Sequence, residues 1–204
     1  MKYYIADTHF FPRRRTMDKD GRAFESVEEM HAYMIKKWND KVSQDDEVYI
    51  IGDFSMGSAK ETCTLARQLH GKKTLLIGNH DRYIEDSDFD ADCFEEICSY
   101  KEIQDGECKV ILCHYPVLFY HGQYKVDRDG NYTTYMLYGH VHNTPDSKLM
   151  DHFQEEIRSE VKFIKYTKKY QHTPCQMINC FCMFSDYEPL TLKEWRKLED
   201  AKHE

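Results

Sequence analysis

Thr74-Leu75-Leu76-Ile77-Gly78-Asn79-His80-Asp81 decides how this chain is read. A short apolar run stopped by glycine reads as a buried strand, too brief for a helix. An amide, an imidazole and a carboxylate then follow in succession, so groups that ligate metals and carry protons gather where the strand ends. Four other places repeat the pattern. Lys2 to Ala6 runs into Asp7-Thr8-His9, and Val48 to Ile51 into Gly52-Asp53. Glu107 to Cys113 delivers His114, and Met136 to Tyr138 delivers Gly139-His140-Val141-His142. A lone Asp-x-His or a single histidine carries little weight. Five such motifs, each after a strand-like run, specify a metal site.

Between the strands lie helix signals. Ser26-Val27-Glu28-Glu29, Ser58-Ala59-Lys60-Glu61 and Thr191-Leu192-Lys193-Glu194 are capping boxes, each opening an amphipathic run. Asp105-Gly106, between Tyr100–Gln104 and Glu107–Cys113, reads as a hairpin turn. A late strand is expected over Met177–Phe184, followed by a closing helix. Early strand–helix alternation and later hairpin strands predict an α/β sandwich, with mixed β-sheets flanked by helices. Ligands in such folds gather beyond the carboxyl ends of strands, where all five motifs fall. Segment 144–174 is polar and expected to be helical around Phe153, Ile157, Val161 and Ile164, an excursion over the site.

The 204 residues fit one domain, 1–204, with a core that needs no staples. The composition, 41% hydrophobic and 31% charged, is that of a globular protein. No apolar stretch approaches the roughly 18 residues that span a bilayer, and no apolar leader opens the chain, so a cytoplasmic protein is expected. The net charge of -8 argues against a surface that coats nucleic acid. It leaves a phosphorylated substrate open, because bound cations reverse local charge. No obligate protein partner is legible. The eight cysteines form no Cys-x-x-Cys pair and are expected to pack as reduced, buried thiols.

Asp7 and His9, two apart, can reach one ion together, and so can His140 and His142. Asp53, alone on a glycine turn, is suited to bridge two ions through its two oxygens. Mixed oxygen and imidazole donors favour Mn²⁺ or Fe, Zn²⁺, Co²⁺ or Ni²⁺ over Mg²⁺ and Ca²⁺. Such a centre polarises a phosphoryl group and makes hydroxide from bound water near neutral pH. Arg13-Arg14-Arg15 is either a solvated loop or a phosphate clamp beside His9. Tyrosines crowd the stretch after His114 as packing or rim residues, and Tyr115 and His121 are candidate substrate contacts. Rings beside a phosphate site can stack on a base, which makes a nucleotide-like substrate reasonable.

With these motifs in this order, the chain resembles the calcineurin-like metallophosphoesterases, in particular small single-domain bacterial and phage-type members. The resemblance runs from Lys2 to about Asn143 and implies a four-layer type of α/β sandwich. It implies that Asp7, His9, Asp53 and His142 hold one divalent ion, and Asp53, Asn79, His114 and His140 a second. His80 would stand beside the ions as the acid for the leaving oxygen, oriented by Asp81. Phe11-Pro12-Arg13 stands where small members often carry Phe-Gly-His, so Arg13 or Arg14 would replace that contact, and 144–174 is longer than in compact members. The expected activity is hydrolysis of a small or nucleotide-like phosphodiester by metal-bound hydroxide, with phosphomonoester hydrolysis the alternative. A non-catalytic scaffold is disfavoured, since every ligand position and His80 are filled.

Overall fold

The computed structural model describes residues 1–165 and 168–202. The first half of the chain forms β1 (Lys2–Ile5), α1 (Arg14–Asp20), α2 (Val27–Lys41), β2 (Glu47–Ile51), α3 (Ala59–Gln68), β3 (Lys72–Leu76) and β4 (Glu96–Cys98). The second half forms β5 (Tyr100–Asp105), β6 (Cys108–Cys113), β7 (Thr134–Tyr138), α4 (Pro145–Ser159), β8 (Val161–Ile164), β9 (Lys169–His172), β10 (Met177–Asn179) and α5 (Leu192–Asp200). One sheet is parallel throughout, in the order β1-β2-β3-β4. The other runs β10-β7-β6-β5, parallel except for the antiparallel edge strand β5.

Alternation along the strands sets the layers. Tyr3, Ile5, Val48, Ile50 and Leu75 pack with Met30, Met34, Trp38 and Leu65 of α2 and α3. The intervening residues Tyr4, Ala6, Tyr49, Ile51 and Leu76 meet Val110, Leu112, Leu137 and Ile178 of the second sheet. On that sheet's far side, Ile111, Met136, Tyr138 and Met177 pack against Met150 and Ile157 of α4. Helices, sheet, sheet and helix therefore stack in four layers, the α/β sandwich that was expected. The capping boxes at Ser58 and Thr191 are both closed. At Ser26 the side chain caps Glu29, while the Glu29 carboxylate reaches Glu25 instead.

Three local expectations need correction. The hairpin turn is Gly106-Glu107, one residue later than read, with Asp105 paired to Cys108 and Gly106 at φ 58°. The late strand stops at Asn179, and Cys182–Ser185 is a 3-10 turn. Asn179 ends the ladder because its Oδ1 accepts from Phe181 N–H and its Nδ2 donates to His142 O. In 144–174 the helix ends at Ser159, and Val161 and Ile164 lie in β8, paired antiparallel with β9. Val161, Phe163 and Tyr170 share one face there, so the apolar period has changed from helical to two.

Candidate metal centre

Loops after β1, β2, β3, β6 and β7 converge at one end of the two sheets and carry all five motifs. Asp7, His9, Asp53, His140 and His142 all lie in the left-handed backbone region, at φ 54°, 45°, 52°, 71° and 48°. Non-glycine residues rarely sit there, at on the order of 1–3 kcal/mol each, and when clustered they mark functional sites. Asp7 and His9 thus reach inward through successive left-handed turns, not along an extended strand. Gly78 and Gly139 give the ligands room. A Cβ on Gly139 would run into the Asp7 carboxylate, and one on Gly78 into that of Asp53.

Ligand atoms of Asp7, His9, Asp53 and His142 all lie within 4.8 Å of one another. The Nε2 atoms of His9 and His142 face each other at 3.1 Å. Asp7 Oδ1 is 3.4 Å from His142 Nε2, and Asp53 Oδ2 is 3.6 Å from His9 Nε2. The same Asp53 oxygen is 3.6 Å from His114 Nε2, so it stands between two groups of donors. In the second group Asn79 Oδ1 lies 3.2 Å from His114 Nε2 and 2.8 Å from His140 Nδ1. His114 Nδ1 is held by Ile51 O at 3.0 Å, which leaves its Nε2 turned inward. Imidazole nitrogens that face one another without a carbonyl between them, flanked by carboxylates, fit divalent ions.

Burial shapes the charges. It pushes the Asp53 carboxyl up to about 6 and the His9 ring well below its usual range. Burial also opposes charge on His142, but Asp20 and Asp7 outweigh it and pull that ring up to about 9. Asp20 is a site residue that sequence reasoning missed. Its Oδ1 lies 2.8 Å from His142 Nδ1, and its Oδ2 accepts from Arg22 Nε at 3.1 Å. Arg22 in turn donates to the carbonyls of Thr8 at 2.7 Å and Asp7 at 2.9 Å. One buried ion pair therefore ties the first ligand loop to the last. Its only trace in the sequence is Asp20-Gly21-Arg22, where Gly21 ends α1 at φ 70°.

His80 is exposed, with its ring 5.3 Å from that of His9, and its N–H donates to Asp53 Oδ1 at 2.7 Å. Asp81, expected to orient His80, does something else. Its buried carboxylate accepts from the N–H groups of Asp53, Phe54 and Gly78 at 2.9, 2.8 and 2.8 Å, locking two ligand loops together. Tyr115 stands at the rim, its ring 4.7 Å from His140 and 5.0 Å from His114. His121 is not at the site. Its Nδ1 is bound to Glu102 at 2.9 Å and Lys109 at 2.7 Å, and Lys109 lies five residues back along the strand from His114. Arg13 and Arg14 are exposed at the start of α1, where Arg14 pairs with Asp18 at 3.1 Å.

Fold and donor set together define a candidate divalent-metal centre built on a four-layer sandwich. Residues 3–176 match the calcineurin-like phosphoesterase family, and the chain belongs to that family of metal-dependent phosphoesterases. It is 29% identical over 168 residues to the uncharacterized protein MJ1445 of Methanocaldococcus jannaschii, covering 80% of this chain and 83% of that one. The Gene 66 protein of Mycobacterium phage L5 is 28% identical over 171 residues, covering 69% of this chain and 77% of its own. Among solved structures, the protein of unknown function AQ665 from Aquifex aeolicus superposes with a TM-score of 0.65 at 22% identity, over 97% of this chain and 98% of that one. That likeness concerns the fold. No helix among the described residues is long and apolar enough to cross a membrane.

Proposed function

We propose that the chain hydrolyses phosphodiesters, small or nucleotide-like, with two divalent ions of which Mn²⁺ is the first choice. Asp7, His9, Asp53 and His142 would hold one ion, and Asp53, Asn79, His114 and His140 the other. The observation that carries the reading is the position of Asp53 Oδ2, equidistant at 3.6 Å from His9 Nε2 and His114 Nε2. Ions held there would neutralise phosphoryl charge and acidify a bound water.

The protein's own groups supply the rest. Asp81 and the His80 backbone N–H fix the Asp53 loop, so the carboxylate that would be shared by the two ions is set before substrate arrives. His80 is the exposed imidazole beside the donors, placed to give a proton to the departing oxygen. A diester is the first-choice substrate; a monoester, whose leaving group likewise departs as an alkoxide or phenoxide, is the alternative. Tyr115 supplies a ring at the rim against which a leaving group can stack.

The test is hydrolysis of bis-p-nitrophenyl phosphate against p-nitrophenyl phosphate by metal-stripped protein with Mn²⁺ added back. We expect metal-dependent turnover that favours the diester and is lost in Asp53→Asn; His80→Ala should reduce it about 10²–10⁴-fold for an alkyl diester, whose alkoxide needs a proton, and far less for the p-nitrophenyl esters. Turnover of the monoester alone would replace the diester reading with a phosphatase.

A further inference from the structure

We propose that the β8–β9 hairpin docks single-stranded nucleic acid, the polymeric form of the diester assigned to the metal centre; the inference rests on that assignment. Phe163 and Tyr170 are cross-strand partners with ring centroids 5.2 Å apart and planes inclined by 58°. They are 50% and 75% exposed, a large area of ring to leave in water. Val161 and His172 form the next pair on the same face. Lys162 and Lys169 lie on the opposite face, and Lys165 and Lys168 at the far end; all four are exposed. Residues 160–172 hold these four lysines against a single Glu160, a net +3 within a chain of net -8. Among the described residues none of the four makes an ion pair.

The base of the hairpin is anchored while its rings are not covered. Thr173 N–H donates to Glu160 O at 2.8 Å, His172 Nδ1 meets Arg158 O at 2.9 Å, and Tyr132 Oη donates to His172 O at 3.1 Å. Exposed rings with Lys165 and Lys168 just beyond them at the end of the hairpin suit a single strand, since bases stack on the rings and phosphates meet the cations. A duplex hides its base faces from such rings. An element that wedges into lipid would carry its rings at the far end, where Lys165 and Lys168 stand. The fifteen residues of α4 span about 22 Å between this hairpin and Thr144, just beyond His142. The hairpin therefore holds a strand at a distance from the cleavage point.

Fluorescence anisotropy with a labelled oligothymidylate tests the proposal, with a duplex and anionic phosphatidylglycerol vesicles as comparison ligands. Wild type should bind the single strand best. Phe163→Ala and Tyr170→Ala should each weaken binding about five-fold or more. Lys165→Glu with Lys168→Glu should lower the slope of log affinity against log salt by about 1.4. Bis-p-nitrophenyl phosphate turnover in each variant reports on the fold and the metal site, and should match wild type. No oligothymidylate binding, equal binding by the variants, or binding to vesicles alone would overturn the proposal. Binding that the variants lose, in a protein that does not cleave the small diester, would keep the docking element and overturn the diester reading.

Discussion

Replacing Asp20 by Asn should weaken metal binding without touching a ligand. Asp20 is almost wholly enclosed, its side chain 2% exposed, and it grips His142 Nδ1 at 2.8 Å while pairing with Arg22. The carboxylate fixes the ring so that Nε2 faces His9 and Asp7, and it raises the ring's basicity. Loss of such a carboxylate behind a ligating histidine costs about 10–100-fold in metal affinity. That corresponds to about 1.4–2.7 kcal/mol. Asn keeps the shape and the neighbouring Arg22 keeps its bonds to Thr8 O and Asp7 O, so the backbone of the first ligand loop stays supported. The assay is Mn²⁺ competition against a fluorescent chelator, with thermal unfolding of the metal-stripped protein run alongside. An Mn²⁺ affinity within two-fold of wild type would refute the argument. So would a loss explained wholly by unfolding at the assay temperature.

Gly139→Ala should abolish metal binding in a chain that still folds, because the added methyl would meet the Asp7 carboxylate and Ala6; overpacking of this kind costs about 1–3 kcal/mol, read by denaturant unfolding beside a metal titration. Metal binding should release protons. His142, at about 9, must give one up at neutral pH, and below about 6 Asp53 adds a second. Affinity should therefore fall about ten-fold per pH unit between 9 and 6 and more steeply below, as a chelator competition across pH would report. In the stripped protein the His142–Asp20 contact stabilises the fold below pH 6.5, and that contribution is lost as pH rises through about 9. Trp195→Ala should destabilise by about 3–5 kcal/mol in urea unfolding, since Trp195 is 1% exposed and its Nε1 donates to Tyr4 O at 2.9 Å.

The five motifs were legible because each follows an apolar strand, and a strand that runs into polar donors, three times through a glycine, is a local signal. The left-handed turns that aim Asp7, His9, Asp53, His140 and His142 were not, since each depends on loops from distant parts of the chain locking together. Asp81 shows the limit most clearly. Its neighbour in sequence is His80, but the fold brings three backbone N–H groups to its carboxylate. Asp20 and Arg22 carry no motif and gain their role only when α1 folds beside His142. His121 was misplaced for the converse reason: nearness to His114 in sequence gave way to Glu102 and Lys109 on the adjoining strands. In 144–174 the switch from helix to hairpin lay in alternating residues too few to outweigh the helical pattern before them.

The most direct test of the account is the stoichiometry of reactivation. Metal-stripped protein is titrated with Mn²⁺ while bound metal and phosphoester turnover are measured on the same samples. Turnover should rise to a plateau at two ions per chain, with Asp53→Asn losing both the second ion and the activity. Full turnover in stripped protein, or a plateau at one ion that Asp53→Asn leaves unchanged, would contradict it.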